Sequence, residues 1–182
     1  MAVILMRHTR PVLGPAYCYG SLDIAVADTF TADATAALER LPAVDRIVSS
    51  PLRRARRLAE TVAEARGLSL AVDPRVSEMD FGAWEGLLWS AVPRGELDAW
   101  AADFLDARPH GGESVRTFRL RIREALEDHA ADEGDCLVVC HAGVVRAAFA
   151  GGSEAQDFNQ SIGYGDTLRW PSDRFQTGGS NE

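Results

Sequence analysis

CLVVCHAGVVRAAFA, residues 136–150, is the stretch that decides the fold. Five apolar residues in succession, with two valines at the centre, read as a strand buried on both faces. Such strands belong to parallel sheets covered by helices on both sides. The run ends at His141, and AGVVRAAFA reads as a helix. The first apolar run of the chain, AVILM at residues 2–6, behaves alike and ends in Arg7-His8. Open parallel sheets bind ligands outside the carboxyl ends of their strands. Two strands that each end in a histidine therefore point to a site.

Working outward, DRIVSS (45–50) reads as a short second strand, LSLAV (68–72) as a third, and TLRW (167–170) as an edge strand. Helices are expected over about Thr29–Arg40, over Pro51–Arg66 with Gly67 as the stop, and over about 96–106. After Gly111-Gly112, Val115, Phe118, Ile122, Ala125, Leu126 and His129 share one helical face. Residues 74–95 read as loop with short helical pieces. Strands alternating with helices give an α/β, three-layer sandwich with a mainly parallel central sheet. The 182 residues fit a single domain, assigned to 1–170, with residues about 74–112 as a cap or loop region over the site. Residues 171–182 are polar and are expected to form a flexible tail.

The net charge of −8 disfavours nucleic acid and anionic membranes as partners. AVILM is too short for a membrane span or a signal peptide. Three cysteines argue against a disulfide framework, and Cys136 and Cys140 lie about 13 Å apart along a strand at ~3.3 Å per residue. A cytoplasmic protein is expected, with the oligomeric state open between monomer and dimer. There is no HxH, HExxH or paired CxxC, so no metal or other cofactor is expected. Cys140 and His141 are successive strand residues that point to opposite faces, which argues against a Cys–His dyad.

SSPLRRA, residues 49–55, follows the second strand and opens a helix rich in arginine. At helical spacing Arg54 shares a face with Leu58, with Thr61 or Val62, and with Ala65. Arg53, Arg57, Glu60 and Glu64 fall on the opposite face, where ion pairs form in water. Arg54 is thus directed toward the sheet, and a buried arginine needs an anion. Arg7, Arg54, His8 and His141 together suit a compact anion such as phosphate, whose oxygens match the arginine fork.

These blocks, with SEMDFGAWEG (77–86), PHGGES (109–114) and VCHAG (139–143), resemble the histidine phosphatase superfamily, also called phosphoglycerate mutase-like, in order and over residues 3–146. The resemblance implies that His8 is a nucleophile accepting a phosphoryl group, with its other ring nitrogen held by a backbone carbonyl. It implies that Arg7, Arg54 and His141 bind the phosphoryl oxygens, and that Glu78 is the general acid and base, needing a raised pKa. Arg10, Tyr19 and Ser114 complete the substrate-binding candidates. Asp80 and Glu85 read as solvated loop carboxylates, and Trp84 and Gly82 as shaping the loop. His129 reads as structural and His110 as a residue of the pocket rim. Gly111-Gly112 could equally bring amides near an anion or simply start the helix, with Ser114 or Glu113 in its cap.

The implied function is a metal-independent phosphomonoesterase acting on a small phosphorylated metabolite. The mutases of the family carry an inserted segment, whereas here only Leu87–Gly112 separates the Glu78 block from Glu113, which favours water as acceptor. RHTRP followed by CYG-x-x-D resembles the α-ribazole phosphatase-like branch, with substrates such as α-ribazole 5′-phosphate. In that branch Tyr17, Tyr19 or Trp84 could stack on a benzimidazole, or equally serve only to pack the loop. Thr9 and Arg10 depart from the Gly and Glu of the family's commoner opening, and Ala25-Val26 depart from the Pro-Leu usual in the branch. A phosphoglycerate mutase-type phosphotransferase and a non-catalytic phosphate- or phosphoprotein-binding module are the alternatives.

Overall fold

The computed structural model describes residues 1–170, so the tail expected from Pro171 lies outside the described residues. In chain order its elements are β1 (Val3–Arg7), α1 (Phe30–Arg40), β2 (Arg46–Ser49), α2 (Arg53–Arg66) and β3 (Leu70–Val72). There follow α3 (Arg94–Ala102), α4 (Val115–Ala131), β4 (Cys136–Cys140), α5 (Ala142–Phe149) and β5 (Thr167–Trp170).

Alternation along the central strands builds the layers. Val3, Leu5, Cys136, Val138 and Cys140 pack with the apolar stripe of α4 and with Val144, Val145 and Ala148 of α5. Their neighbours Ile4, Met6, Leu137 and Val139 pack on the other side with Ala34 and Ala37 of α1 and Leu58 and Val62 of α2. A strand buried on both faces cannot alternate polar and apolar residues, which explains the unbroken apolar runs. Burying each Leu, Ile or Val side chain contributes about 1.5–3 kcal/mol before entropy costs.

The sheet order is β3-β2-β4-β1-β5, parallel except for β5, which pairs antiparallel with β1 at the edge. Register then positions the site. Arg7 lies opposite Cys140, so the next residues of the two strands, His8 and His141, leave the sheet side by side. The His8 amide donates to the Cys140 carbonyl at 3.0 Å and fixes that exit.

Helix α2 ends as expected at Gly67, whose φ of 65° permits the left-handed turn that satisfies the last carbonyls. Its buried face is Arg54, Ala55, Leu58, Ala59, Val62 and Ala63, so Arg54, Leu58 and Val62 face inward as expected while Ala65 is exposed. The expected ion pairing on its outer face is also corrected. Arg53 pairs with Asp23, Arg56 pairs with Glu60, and Arg57 lies over the Phe30 ring. Helix α3 covers 94–102 instead of 96–106, because Phe104 and Leu105 turn away to pack on the core.

Candidate active site

His8 is 3 % exposed, and its Nδ1 lies 2.6 Å from the carbonyl oxygen of Thr9. A carbonyl only accepts, so Nδ1 carries the proton and Nε2 keeps its lone pair. Burial first, then the nearby charges of Arg54 and Arg7, lower the His8 pKa from 6.5 to about 3. The ring is therefore neutral at physiological pH. His141 is fully buried with its ring centroid 5.2 Å from that of His8, and burial with the Arg54 charge holds it neutral too. Its Nε2 meets the Ser50 hydroxyl at 2.8 Å, while its Nδ1 is buried with no partner in the protein.

Arg54 has no exposed surface. Its Nη1 and Nη2 donate to the carbonyls of Leu22 (2.8 Å) and Gly20 (2.6 Å), leaving its buried Nε unpaired. The front loop is thus a cradle for this guanidinium. A side chain at Gly20 would meet the Met79 carbonyl at 1.7 Å, and Asp23 accepts from the Arg53 amide at the start of α2. The CYG-x-x-D pattern has this structural task whatever the substrate. Arg7 donates to the Ile162 carbonyl (2.8 Å), and its Cζ lies over the Tyr164 ring, 3.7 Å from the centroid. Tyr164 also touches the Tyr19 hydroxyl at 3.3 Å and lies 5.7 Å from the His8 ring.

Glu78 sits at the start of α5. One carboxylate oxygen accepts the Gly143 amide (2.9 Å), and the other accepts the Met79 amide (3.0 Å). The turn carrying Glu78 is braced from behind by Arg121, which donates to the backbone carbonyls of Arg75, Ser77 and Glu78 and forms a two-point pair with Glu113. That brace explains why the GES block accompanies the Glu78 block.

A cavity of about 420 Å³ opens on Arg7, His8, Tyr19 and Glu78, within the size range of small-molecule sites. Its other walls are mostly apolar and aromatic, with Trp89, Trp100 and Phe104 from the segment expected to cap the site and Phe158 edge-on to Phe104. His141 and Arg54 are fully buried and do not line it.

Five expected site residues, His8, Arg7, Arg54, Glu78 and His141, with Tyr19, are brought together. Two substrate-binding candidates are not. Arg10 is held by Asp33 in an exposed ion pair, and Ser114 is the N-cap of α4, accepting the Thr117 amide at 3.1 Å. Neither lines the cavity. Other readings are corrected. Glu85 is no solvated carboxylate but accepts the amides of Gly20, Ser21, Leu22 and Phe81. His110 is buried against Trp84 instead of at the rim, and its Nδ1 accepts the Gly112 amide. The Glu113 amide is taken by the Asp80 carbonyl, so that turn presents neither amide to an anion. Trp84 is buried and bonded to Glu96, leaving Tyr17 and Tyr19 at the cavity. His129 pairs with Asp73 at 3.0 Å.

Ser50, Tyr164 and Arg121 have no sequence signal beyond the Ser50 position inside SSPLRRA. The contacts that tie them to the site, Ser50 with His141, Tyr164 with Arg7 and Arg121 with the Glu78 carbonyl, join positions 91, 157 and 43 residues apart. Among the described residues no group of three His, Cys, Asp or Glu side chains is arranged to hold a metal, and no helix is long and apolar enough to cross a membrane.

The sequence profile of the histidine phosphatase superfamily (branch 1) matches residues 3–161. The adenosylcobalamin/alpha-ribazole phosphatase of Salmonella typhimurium is 32% identical over 111 residues, 58% of this chain and 55% of that protein. The glucosyl-3-phosphoglycerate phosphatase of Mycobacterium tuberculosis is 34% identical over 148 residues, 72% of this chain and 65% of that protein. The chain thus matches between about half and two thirds of the length of these curated relatives. A crystal structure of phosphoglycerate mutase from Thermus thermophilus superposes with a TM-score of 0.74 at 30% identity, covering 94% of each chain.

Proposed function

The chain belongs to the histidine phosphatase superfamily, branch 1, and on that premise we propose that it is a phosphomonoesterase working through a phosphohistidine at His8. The observation that carries this reading is the state of His8. It is neutral and tautomerically fixed by Thr9, with Nε2 free beside Arg7, Arg54 and His141.

In the proposed reaction His8 Nε2 attacks phosphorus as the ester P–O bond breaks, and Glu78 gives its proton to the leaving alkoxide. Water, deprotonated by Glu78, then attacks the phosphohistidine and releases inorganic phosphate with the proton returned to the carboxyl. Arg7 and Arg54 supply fixed positive charge where the transferring group spreads its negative charge, and the unpaired Nδ1 of His141 is a further donor for it. No metal or cofactor takes part in this scheme.

The short segment between the Glu78 and Glu113 blocks supports water over a second substrate molecule as acceptor. Within the phosphatase reading, α-ribazole 5′-phosphate is the finer assignment. It is supported by the Salmonella relative and by the aromatic cavity wall, which suits a benzimidazole better than the polar glycerate of a mutase. A domain over 1–170 whose 74–112 segment walls the cavity fits this substrate size.

The test is a panel of α-ribazole 5′-phosphate, phosphoserine, 3-phosphoglycerate, a sugar phosphate and a phosphopeptide, with wild type and His8→Ala. Phosphate release from the aromatic ester, abolished in His8→Ala, is expected. Isomerised phosphoglycerate without phosphate release would favour the transferase, and phosphate binding with no turnover on any ester would favour the binding module.

A further inference from the structure

One cation in the cavity wall has no task in the scheme above. Arg146 lines the cavity together with Ala142 and Gly143, four and three residues before it on α5, so its position faces the same space. It is exposed, and among the described residues nothing pairs with it. The arginines of α4 nearby differ. Arg119 and Arg123 donate to carbonyls of Ala150 and Gly152, and Arg121 is locked to Glu113.

Charge strengthens the contrast. Besides the neutral His8, the ionisable lining consists of Arg7, Glu78, the two tyrosines and Arg146. Arg7 and the buried Arg54 already serve the phosphoryl group. Arg146 lies three residues beyond Gly143, about 4.5 Å further along the helix axis at ~1.5 Å per residue, with apolar Ala155 and Phe158 also in the wall. A free guanidinium beside apolar Ala155 and Phe158 attracts an anion more strongly than one in open water.

We propose that Arg146 forms a second anion subsite, so that among monoesters sharing one apolar body the site favours those that carry a second anionic group, such as a carboxylate or phosphate. This inference rests on the phosphomonoesterase reading but not on the ribazole assignment.

The test compares 2-naphthyl phosphate with 6-carboxy-2-naphthyl phosphate and naphthalene-2,6-diyl bisphosphate, which share one apolar body. At low ionic strength the wild type should favour each doubly anionic ester in kcat/KM by about fivefold, the effect of one partly solvated ion pair. The bisphosphate value is halved for its two equivalent ends, and the carboxylate and bisphosphate arms tell which anion is preferred. Arg146→Ala should bring the ratios to about one, Arg146→Glu should invert them, and Arg146→Lys should keep part of the preference. Ratios of one in wild type, or ratios kept in Arg146→Ala, overturn the subsite. Calorimetric binding of 6-hydroxy-2-naphthoate against 2-naphthol reads the same preference without catalysis. If no ester is hydrolysed, the phosphatase reading fails, while a naphthoate preference lost in Arg146→Ala still supports the subsite and equal affinities still overturn it.

Discussion

Replacing Gly143 with alanine displaces the Glu78 carboxylate while leaving residue 78 a glutamate. A Cβ at position 143 would lie 2.2 Å from Oε1, 2.8 Å from Cδ and 3.0 Å from Oε2 of Glu78. Ordinary contact begins at 3.4 Å, so the carboxylate must retreat by about 1.2 Å (3.4 − 2.2), and its 2.9 Å bond from the Gly143 amide is lost or lengthened. Gly143 has no positive φ, and alanine is favoured over glycine in a helix by about 1 kcal/mol, so α5 persists. A misplacement of ~1 Å in a catalytic group costs on the order of 10²-fold. The loss should depend on the leaving group. In single-turnover measurements, transfer from an alkyl phosphate, whose alkoxide must be protonated, should slow by about 10²-fold. Transfer from 4-nitrophenyl phosphate, whose phenolate leaves without help, should slow by less than about tenfold. Equal losses on both esters, or no loss on either, would refute the assignment of Glu78 as the proton donor held at the start of α5.

The two neighbouring arginines of α2 should separate cleanly. Arg54→Ala removes a fully buried guanidinium and should depress kcat/KM by about 10²–10³-fold, whereas Arg53→Ala breaks an exposed pair with Asp23 and should stay within about fivefold. Comparable losses would contradict the burial argument. Acid should unfold the protein partly through His8. Its folded pKa of about 3 lies below the ordinary 6.5, so the unfolded chain binds the proton more readily, and stability falls as pH drops from about 6.5 toward 3. The full interval corresponds to at most about 5 kcal/mol. Urea unfolding of His8→Gln between pH 4 and 7 should show a shallower pH dependence than wild type, and an unchanged slope would count against a buried neutral ring. Ser50→Ala removes the partner 2.8 Å from His141 Nε2 and should lower kcat by about tenfold with the fold retained by circular dichroism. A wild-type rate in that variant would show that Ser50 does not orient the ring.

Much of this was legible in the residues because it follows from local periodicity. Two unbroken apolar runs ending in histidine imply parallel neighbours, and the pairing of Arg7 with Cys140 brings those histidines together. Helical spacing alone turned Arg54 inward and Arg53 outward. What stayed hidden depends on contacts between distant segments. No pattern within SIGYGD announces that Tyr164 will lie beside Arg7, and none marks Glu85 as the acceptor for Gly20, 65 residues earlier. Composition misled where a polar residue had a structural use. Arg10 looked like a substrate contact and is held by Asp33, and of the two roles open to Ser114, substrate contact and helix cap, it fills the cap. The helix boundary at 106 failed because apolar Phe104 and Leu105 fit a helical pattern yet turn into the core.

The central claim is that His8 Nε2 becomes phosphorylated, because Nδ1 is committed to the Thr9 carbonyl at 2.6 Å. Quenching the enzyme with a phosphorus-labelled substrate should trap acid-labile, base-stable label, and alkaline digestion should release it as phosphohistidine substituted at Nε2. The label should be absent from His8→Ala. Label surviving in His8→Ala, or carried on Nδ1, would contradict the account.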